Sequence, residues 1–319
     1  YLRFTAARVR ANTLTAQVFD LKVFFTVVPK TPQQVTVTDV LLFIEAQRAP
    51  RRGGNVIRLA DGEAGLAAST IKRRLATVSS LFDYLFLRGI CDRNPVPRSL
   101  GARHARPDGR GHGGRRGAPL VRAPRKLPRV LAPAEVGALT GALRTDRDRA
   151  MVALMVHGGL RRCEVLGLRF EHVQVGDRRV FVADGKDGHQ RLVPVADVFF
   201  TTLASYLGRE RPTEAIDDHV FVVLKGPNRG RPLTAAGLDE VMAGARGRAG
   251  LSHASCHELR HTCFTRLREA GMALEAIQAQ AGHASIETTR VYLHLSNDWL
   301  AGEYQRAMAI LDGLHEEEQ

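Results

Sequence analysis

A stretch near the middle of the sequence divides the chain into two parts. Residues 101–127 contain six glycines, three prolines and eight basic residues, with Asp108 as the single acid. They show no apolar periodicity that would bury one face, and their like charges repel each other. We therefore expect an extended linker here, with one domain over residues 1–100 and another over residues 128–319. A chain of 319 residues is long enough for two domains.

The positive charge is concentrated in the first part of the chain. Residues 1–127 hold 23 Lys and Arg against 8 Asp and Glu, a net +15, whereas residues 128–319 hold 23 against 25, a net −2. A basic linker is either a soluble tether or a segment that lies along a polyanion and releases counterions, and charge alone leaves both open. The linker residues that would contact phosphates include Arg115, Arg116, Arg125 and Lys126.

Composition excludes several classes of protein. With 44% hydrophobic and 25% charged residues, the chain is typical of a folded protein rather than a disordered one. It has no run of about 18 apolar residues, and its first residues do not resemble a signal peptide, so we expect a cytoplasmic protein without membrane contact. The four cysteines form no C-x-x-C pair and are expected to be reduced core thiols.

Apolar spacing predicts a helical bundle before the linker. One amphipathic helix is predicted around Leu14–Val28 after possible caps at Asn12 and Thr13, a shorter one after Asp39, and a third after Ser69 as N-cap. On the third helix, Lys72, Arg73 and Arg74 lie off the apolar stripe, near the end that a helix entering a DNA groove presents. A solvated polar face explains these three residues equally well.

The second part is predicted to be mainly α with a small β-hairpin. Strands are predicted at 178–182 and 190–195, around a glycine-containing turn at 184–188 that carries Lys186. The predicted helices are 134–143, one capped by Asp146, 196–209, 234–248, 257–270, 274–281 and 299–314.

The motif His257-Glu258-Leu259-Arg260-His261 allows two kinds of chemistry. It fits the zinc pattern H-E-x-x-H, in which both histidines would bind Zn²⁺, Glu258 would activate water, and Glu275 or Glu287 would supply a third ligand. Alternatively, His257 and Arg260 share a helix face that suits a phosphate oxygen and a reacting hydroxyl. A zinc peptidase would not account for the basic first half.

The surrounding residues favour the second interpretation. In chain order they are Gly159-Leu160-Arg161-Arg162-Cys163-Glu164, Lys186, the His257 motif, Gly282-His283 and Thr288-Thr289-Arg290-Val291-Tyr292. At seven positions this order resembles the tyrosine recombinase (phage integrase) family, of the Xer and integrase type. The resemblance covers most of 128–319 and extends loosely to residues 69–95. It departs from the family at His157-Gly158, at Ala281 and in the long linker.

The resemblance implies a fold and a mechanism. It implies an N-terminal helical core-binding domain and a tyrosine recombinase catalytic domain. Arg161 and Arg260 would hold the scissile phosphate with Glu164 orienting them, and Tyr292 would attack to form a 3′-phosphotyrosyl ester. His257 would assist removal of the tyrosine proton, His283 would donate to the phosphate and Lys186 would protonate the departing 5′ oxygen. No cofactor, metal ion or ATP would be needed.

The resemblance also implies partners. The DNA partner is double-stranded DNA with inverted recombination-site arms. Four copies of the chain would form a homotetramer on two synapsed sites, with an accessory protein in some systems. The protein would be associated with the nucleoid. A type IB topoisomerase-like relaxing enzyme and the zinc metallopeptidase are the alternatives. The sequence specifies neither the target site nor the biological role among integration, transposition and chromosome-dimer resolution.

Overall fold

The computed structural model describes residues 1–49, 65–97, 120–122, 128–183, 190–215 and 217–283, together with Thr289 and Met308. The chain divides into two compact units, Tyr1–Arg125 and Lys126–Gln319. Most of the predicted linker, the turn at 184–188 and all of the predicted helix 299–314 except Met308 lie outside the described residues.

The first unit is a bundle of helices around an aromatic core. Phe24, Phe43 and Phe82 come from three different helices, and each is fully buried. The rings of Phe24 and Phe43 meet edge to face, with centroids 5.0 Å apart. The helices are α1 (Leu2–Ala6), α2 (Ala11–Val27), α3 (Val37–Arg48) and α4 (Ala68–Leu87).

The predicted helix starts in this unit were two or three residues too late. Helix α2 begins before Asn12, and α4 begins before Ser69, so neither residue is a cap. Helix α3 is capped by Thr36, whose hydroxyl accepts from the backbone N–H of Asp39, while Asp39 accepts from the backbone N–H of Thr36 at 2.9 Å. Asp39 therefore closes a capping box from inside the helix.

The second unit is built around one helix that is buried on all sides. This central helix is α6, in which every residue from Ala150 to Val156 is at most 6% exposed. The predicted cap at Asp146 is one residue late, because the side chain of Thr145 accepts from the N–H of Asp148. The helices of this unit are α5 (Pro133–Gly141), α6 (Asp146–Val156), α7 (Arg162–Leu166), α8 (Asp197–Arg209), α9 (Ala235–Arg248), α10 (Cys256–Glu269) and α11 (Leu274–Ala281).

A small antiparallel sheet completes the second unit. Strands β2 (Arg179–Val182) and β3 (Arg191–Pro194) form the predicted pair, and β1 (Val173–Gln174) adds a third strand beside β2. The mainly α fold with a small sheet is thus confirmed, and β1 is an addition to the prediction. Cys91 and Cys263 are buried thiols as expected, whereas Cys163 is exposed and Cys256 half-buried.

Candidate active site

Arg161 is held by the carboxylate of Glu164, which belongs to the short helix that follows it. Arg161 directly precedes α7, and its backbone N–H donates to Oε2 of Glu164 at 2.8 Å. Its Nη1 donates to Oε1 of the same carboxylate at 2.7 Å, and its Nη2 donates to the carbonyl of Gly282 at 3.2 Å. The side chain of Glu164 has no exposed surface. The contacts with Glu164 and Gly282 therefore fix the side chain of Arg161, which is 20% exposed.

Arg260 is held mainly by backbone carbonyls. It lies in the first half of α10, and its side chain is 4% exposed. Its Nη1 donates to the carbonyl of Gly159, and its Nη2 donates to the carbonyl of Ala281 at 2.6 Å. The guanidinium also lies 4.8 Å from the centroid of the Phe264 ring. Backbone contacts of this kind allow a charged group to remain buried in a defined orientation.

Two glycines of the motifs make these contacts possible. Gly159 has a φ of +68°, and a Cβ there would lie 2.4 Å from the Phe264 ring. Gly282 ends α11 with a φ of +60°, and a Cβ there would lie 3.0 Å from Nη1 of Arg191. Both positions need left-handed backbone and open space, so glycine is required.

Three imidazoles lie close to the arginines. Nε2 of His283 lies 3.3 Å from Nη2 of Arg260, and its Nδ1 lies 2.9 Å from Oγ1 of Thr289. The Nε2 atoms of His257 and His261 are 2.9 Å apart, one turn from each other on α10. Since these two nitrogens form a hydrogen bond, one ring donates and the other accepts.

Burial and positive charge keep these imidazoles neutral. Burial, followed by the charge of Arg260, lowers the pKa of His283 to about 4. Burial, His257 and Arg260 lower the pKa of His261 to about 4 as well. The pKa of His257 is also lowered, by burial and then by Arg260 and Arg161. A neutral His257 is able to accept a proton.

Sequence reasoning missed Arg191, which joins β3 to this site. Its Nη1 and Nη2 donate to Oε1 and Oε2 of Glu164 at 3.1 and 2.9 Å, and its Nε donates to the carbonyl of Gln280 at 2.8 Å. The alternation of side chains along β3 could have indicated that Arg191 faces inward. Arg191 shares a face with the fully buried Val193, whereas Leu192, on the other face, is 45% exposed. Thr289, the partner of His283, was missed too.

Glu164 is ionised in this setting. Burial raises the pKa of its carboxyl, but hydrogen bonds and charge from Arg191, together with Arg161, outweigh burial and lower the pKa below its usual range. A carboxylate between two guanidiniums keeps its charge.

The zinc interpretation lacks further ligands in the described part of the chain. There His257 and His261 belong to no group of three metal-ligating side chains; the group that meets this geometry is Asp217, Asp218 and His219, in another part of the unit. Glu258, the proposed water activator, lies 3.4 Å from His253.

The candidate DNA contacts fall into three sets. Arg73 is paired with the buried Asp20, and Nη1 of Arg74 donates to Gln47 at 2.9 Å, so both side chains also hold the bundle together. Lys72 is exposed. The remaining predicted site residues, which lie outside the described residues, are Arg115, Arg116, Arg125, Lys126, Lys186 and Tyr292.

Comparison with known proteins gives related sequences along most of the chain. The model of the phage integrase family matches residues 129–298. Tyrosine recombinase XerC of Yersinia pestis is 30% identical over 249 residues, which cover 76% of this chain and 74% of the relative. Tyrosine recombinase XerC of Serratia marcescens is 27% identical over 312 residues, or 96% of this chain and 92% of the relative.

Solved structures share the fold. The Tn1549 transposon integrase in complex with transposon right end DNA matches with a TM-score of 0.71 and 18% identity, over 96% of each chain. A lambda integrase dimer bound to a core site matches with a TM-score of 0.63 and 18% identity, over 90% of this chain and 94% of that chain. In the described ranges, every helix is too short or too polar to cross a membrane.

Proposed function

This chain belongs to the phage integrase family and is a tyrosine-type site-specific recombinase, and from that premise we propose that it cuts and rejoins DNA through a 3′-phosphotyrosyl intermediate. The observation that carries the proposal is the convergence of Arg161, Arg260, His257 and His283 from distant parts of the sequence. Contacts through Glu164 and through backbone carbonyls hold the two guanidiniums in place.

The chemistry needs fixed positive charge. Attack of the Tyr292 oxygen on the phosphorus increases negative charge on the non-bridging oxygens, which Arg161 and Arg260 stabilise. The bond from phosphorus to the 5′ oxygen breaks, and Lys186 protonates that oxygen. His257, neutral at physiological pH, accepts the phenolic proton. Because the ester retains the energy of the phosphodiester, a 5′-hydroxyl of another strand reverses the step without ATP, metal or cofactor.

His283 has to change its contact to act as a donor. A guanidinium only donates hydrogen bonds, so Nε2 of His283 accepts from Arg260 in the unbound site. DNA phosphate would take over the Arg260 contact, and the neutral ring would change tautomer: its proton would move from Nδ1 to Nε2, which donates to the phosphate, and Nδ1 would accept from the Thr289 hydroxyl. Thr289 holds the other side of the ring during this change.

We assign separate functions to the successive segments of the chain. Residues 1–100 would form the core-binding domain, residues 101–127 a basic tether and residues 128–319 the catalytic domain. We propose that four copies act on two DNA sites with inverted arms, with accessory proteins in some settings, and that the enzyme is cytoplasmic and nucleoid-associated. The Tn1549 and lambda integrases with bound DNA support a duplex DNA partner.

Formation of a covalent adduct tests the proposal. Duplexes bound by the purified chain are selected from a random pool and rebuilt as nicked suicide substrates. The wild-type chain should form an SDS-resistant adduct, and Tyr292→Phe should abolish it while binding remains, because the phenolic oxygen is the nucleophile. Tyr304→Phe, which changes another tyrosine of the C-terminal region within the predicted helix 299–314, is the matched control and should retain the adduct. Adducts that persist in Tyr292→Phe would refute the assignment.

The same preparation separates the alternatives. A topoisomerase would relax supercoiled plasmids that lack the selected site, whereas a recombinase needs paired sites. A zinc peptidase would contain stoichiometric metal and lose activity in EDTA. We expect adduct formation to be unchanged by EDTA.

A further inference from the structure

We propose that Arg191 is a positioning residue for strand cleavage, which neutralises Glu164 so that the positive charge of Arg161 remains available to the scissile phosphate. The inference rests on the function proposed above. It assigns a role to a residue of the sheet, outside the family motifs described here.

The contact geometry supports this role. The two terminal nitrogens of Arg191, Nη1 and Nη2, donate to the two oxygens of Glu164, which is the paired arrangement that gives the strongest guanidinium–carboxylate contact. The side chain is 9% exposed and that of Glu164 is 0% exposed, so solvent screens the pair weakly. The contact therefore has a large electrostatic effect on its neighbours.

The balance of charge explains why a third arginine is needed. Glu164 binds Arg161 through Nη1 and the backbone N–H, and it lies 4.0 Å from Nη1 of Arg260. Without Arg191, the negative charge of the carboxylate would oppose the field that Arg161 exerts on the scissile phosphate. With Arg191, Glu164 orients Arg161 while its own charge is compensated from the other side.

Arg191 is also held in a defined position beside the site. Its Nε is bound to the carbonyl of Gln280, and its guanidinium lies over Gly282, where a Cβ would be 3.0 Å from Nη1. The carbonyl of Gly282 is in turn an acceptor for Arg161. Arg191 thus binds Glu164 and lies beside Gly282, the two residues that hold Arg161, which a distant surface arginine would not do.

Neutral and anionic substrates distinguish electrostatic compensation from a purely structural role. Adduct formation is measured on the suicide duplex and on the same duplex with a methylphosphonate at the scissile position, which removes the negative charge. On the phosphodiester, Arg191→Gln should lower the cleavage rate about 100-fold, the scale of losing one stabilising group, with KM little changed. On the methylphosphonate the loss should be much smaller, and Arg191→Lys should recover part of the phosphodiester rate.

Two further variants control for folding. Arg178→Gln removes an exposed ion pair with Asp197 directly before strand β2 of the same sheet and should leave both rates unchanged. In the background of Glu164→Gln, Arg191→Gln should cost far less than in the wild type, because no buried carboxylate remains to be neutralised. This comparison applies even where Arg191→Gln alone folds poorly.

Three results would overturn the proposal. An equal loss on both substrates would indicate a structural role. Restoration of the Arg191→Gln rate by a 5′-bridging phosphorothiolate, whose leaving group needs no protonation, would assign the defect to Lys186 instead. Wild-type rates in Arg191→Gln would remove the role of Arg191 and leave the proposed function intact, whereas a wild-type chain without adducts would remove both.

Discussion

Two histidines of the site have pKa values well below that of a free imidazole. His261 and His283 have pKa values of about 4 in the folded chain, because burial and neighbouring positive charge disfavour the imidazolium form. An unfolded histidine has a pKa of about 6.5. Between these values the unfolded chain binds more protons than the folded one, so acid destabilises the fold.

This difference predicts how stability depends on pH. The melting temperature of the catalytic unit should fall as the pH decreases from about 6.5 to about 4, in addition to any effect of carboxylates. His261→Gln should make this decrease shallower, because one buried imidazole no longer needs to be protonated on unfolding. Differential scanning calorimetry across this pH range measures both slopes, and equal slopes would contradict the assignment.

For single residues, the sequence was informative about which residues belong to the site but not about which of them contact each other. Motif spacing was enough to select Arg161, Glu164, His257, Arg260 and His283, which the structure brings into one cluster. Arg191 was missed because Glu164 and Gln280 are 27 and 89 positions away from it in the chain. Local patterns carry no information on pairing over such separations.

Among the elements, the contact between α2 and α4 depends on a buried carboxylate. Asp20 is 1% exposed, it is paired with Arg73, and its Oδ2 accepts from Oγ1 of Thr77 at 3.1 Å. Nε of Arg74 lies 3.6 Å from its other oxygen. The use of Arg73 and Arg74 as DNA contacts remains a prediction, and it has to coexist with these packing contacts.

We predict that Asp20→Asn loosens the first unit. The loss of charged hydrogen bonds should lower the free energy of opening of α2 and α4 by about 2 kcal/mol. Hydrogen exchange of peptides from these helices in the full chain measures it locally. Glu45→Gln, an exposed carboxylate of α3, is the control and should change exchange by less than about 0.5 kcal/mol. Unchanged exchange in Asp20→Asn would contradict this role.

Apolar periodicity predicted the long helices, because a helix with one buried face has an apolar residue at every third or fourth position. The positions of the caps were less well predicted. Ala67 and Arg10 precede α4 and α2 without a side-chain cap, so the polar residues nearby were misleading. Strand β1 has only two residues, too few for an alternating pattern.

Across the whole molecule, the asymmetry of charge predicts a strong dependence on salt. Replacing Arg115, Arg116, Arg125 and Lys126 by Gln should reduce the slope of log K against log salt by about 0.9 for each lost phosphate contact, or about 3 to 4 in total. Fluorescence anisotropy with the selected duplex at several salt concentrations measures the slope. A slope equal to that of the wild type would identify the linker as a soluble tether.

The main-chain carbonyls that accept hydrogen bonds from Arg161 and Arg260 have a consequence for protein engineering. Three anchors of the two site arginines are the main-chain carbonyl oxygens of Gly159, Ala281 and Gly282, so these anchors do not depend on any DNA-facing side chain. Libraries that diversify the DNA-facing side chains can therefore explore new target sequences while Arg161 and Arg260 keep their positions. Evolution of specificity and retention of chemistry are, to that extent, separable traits.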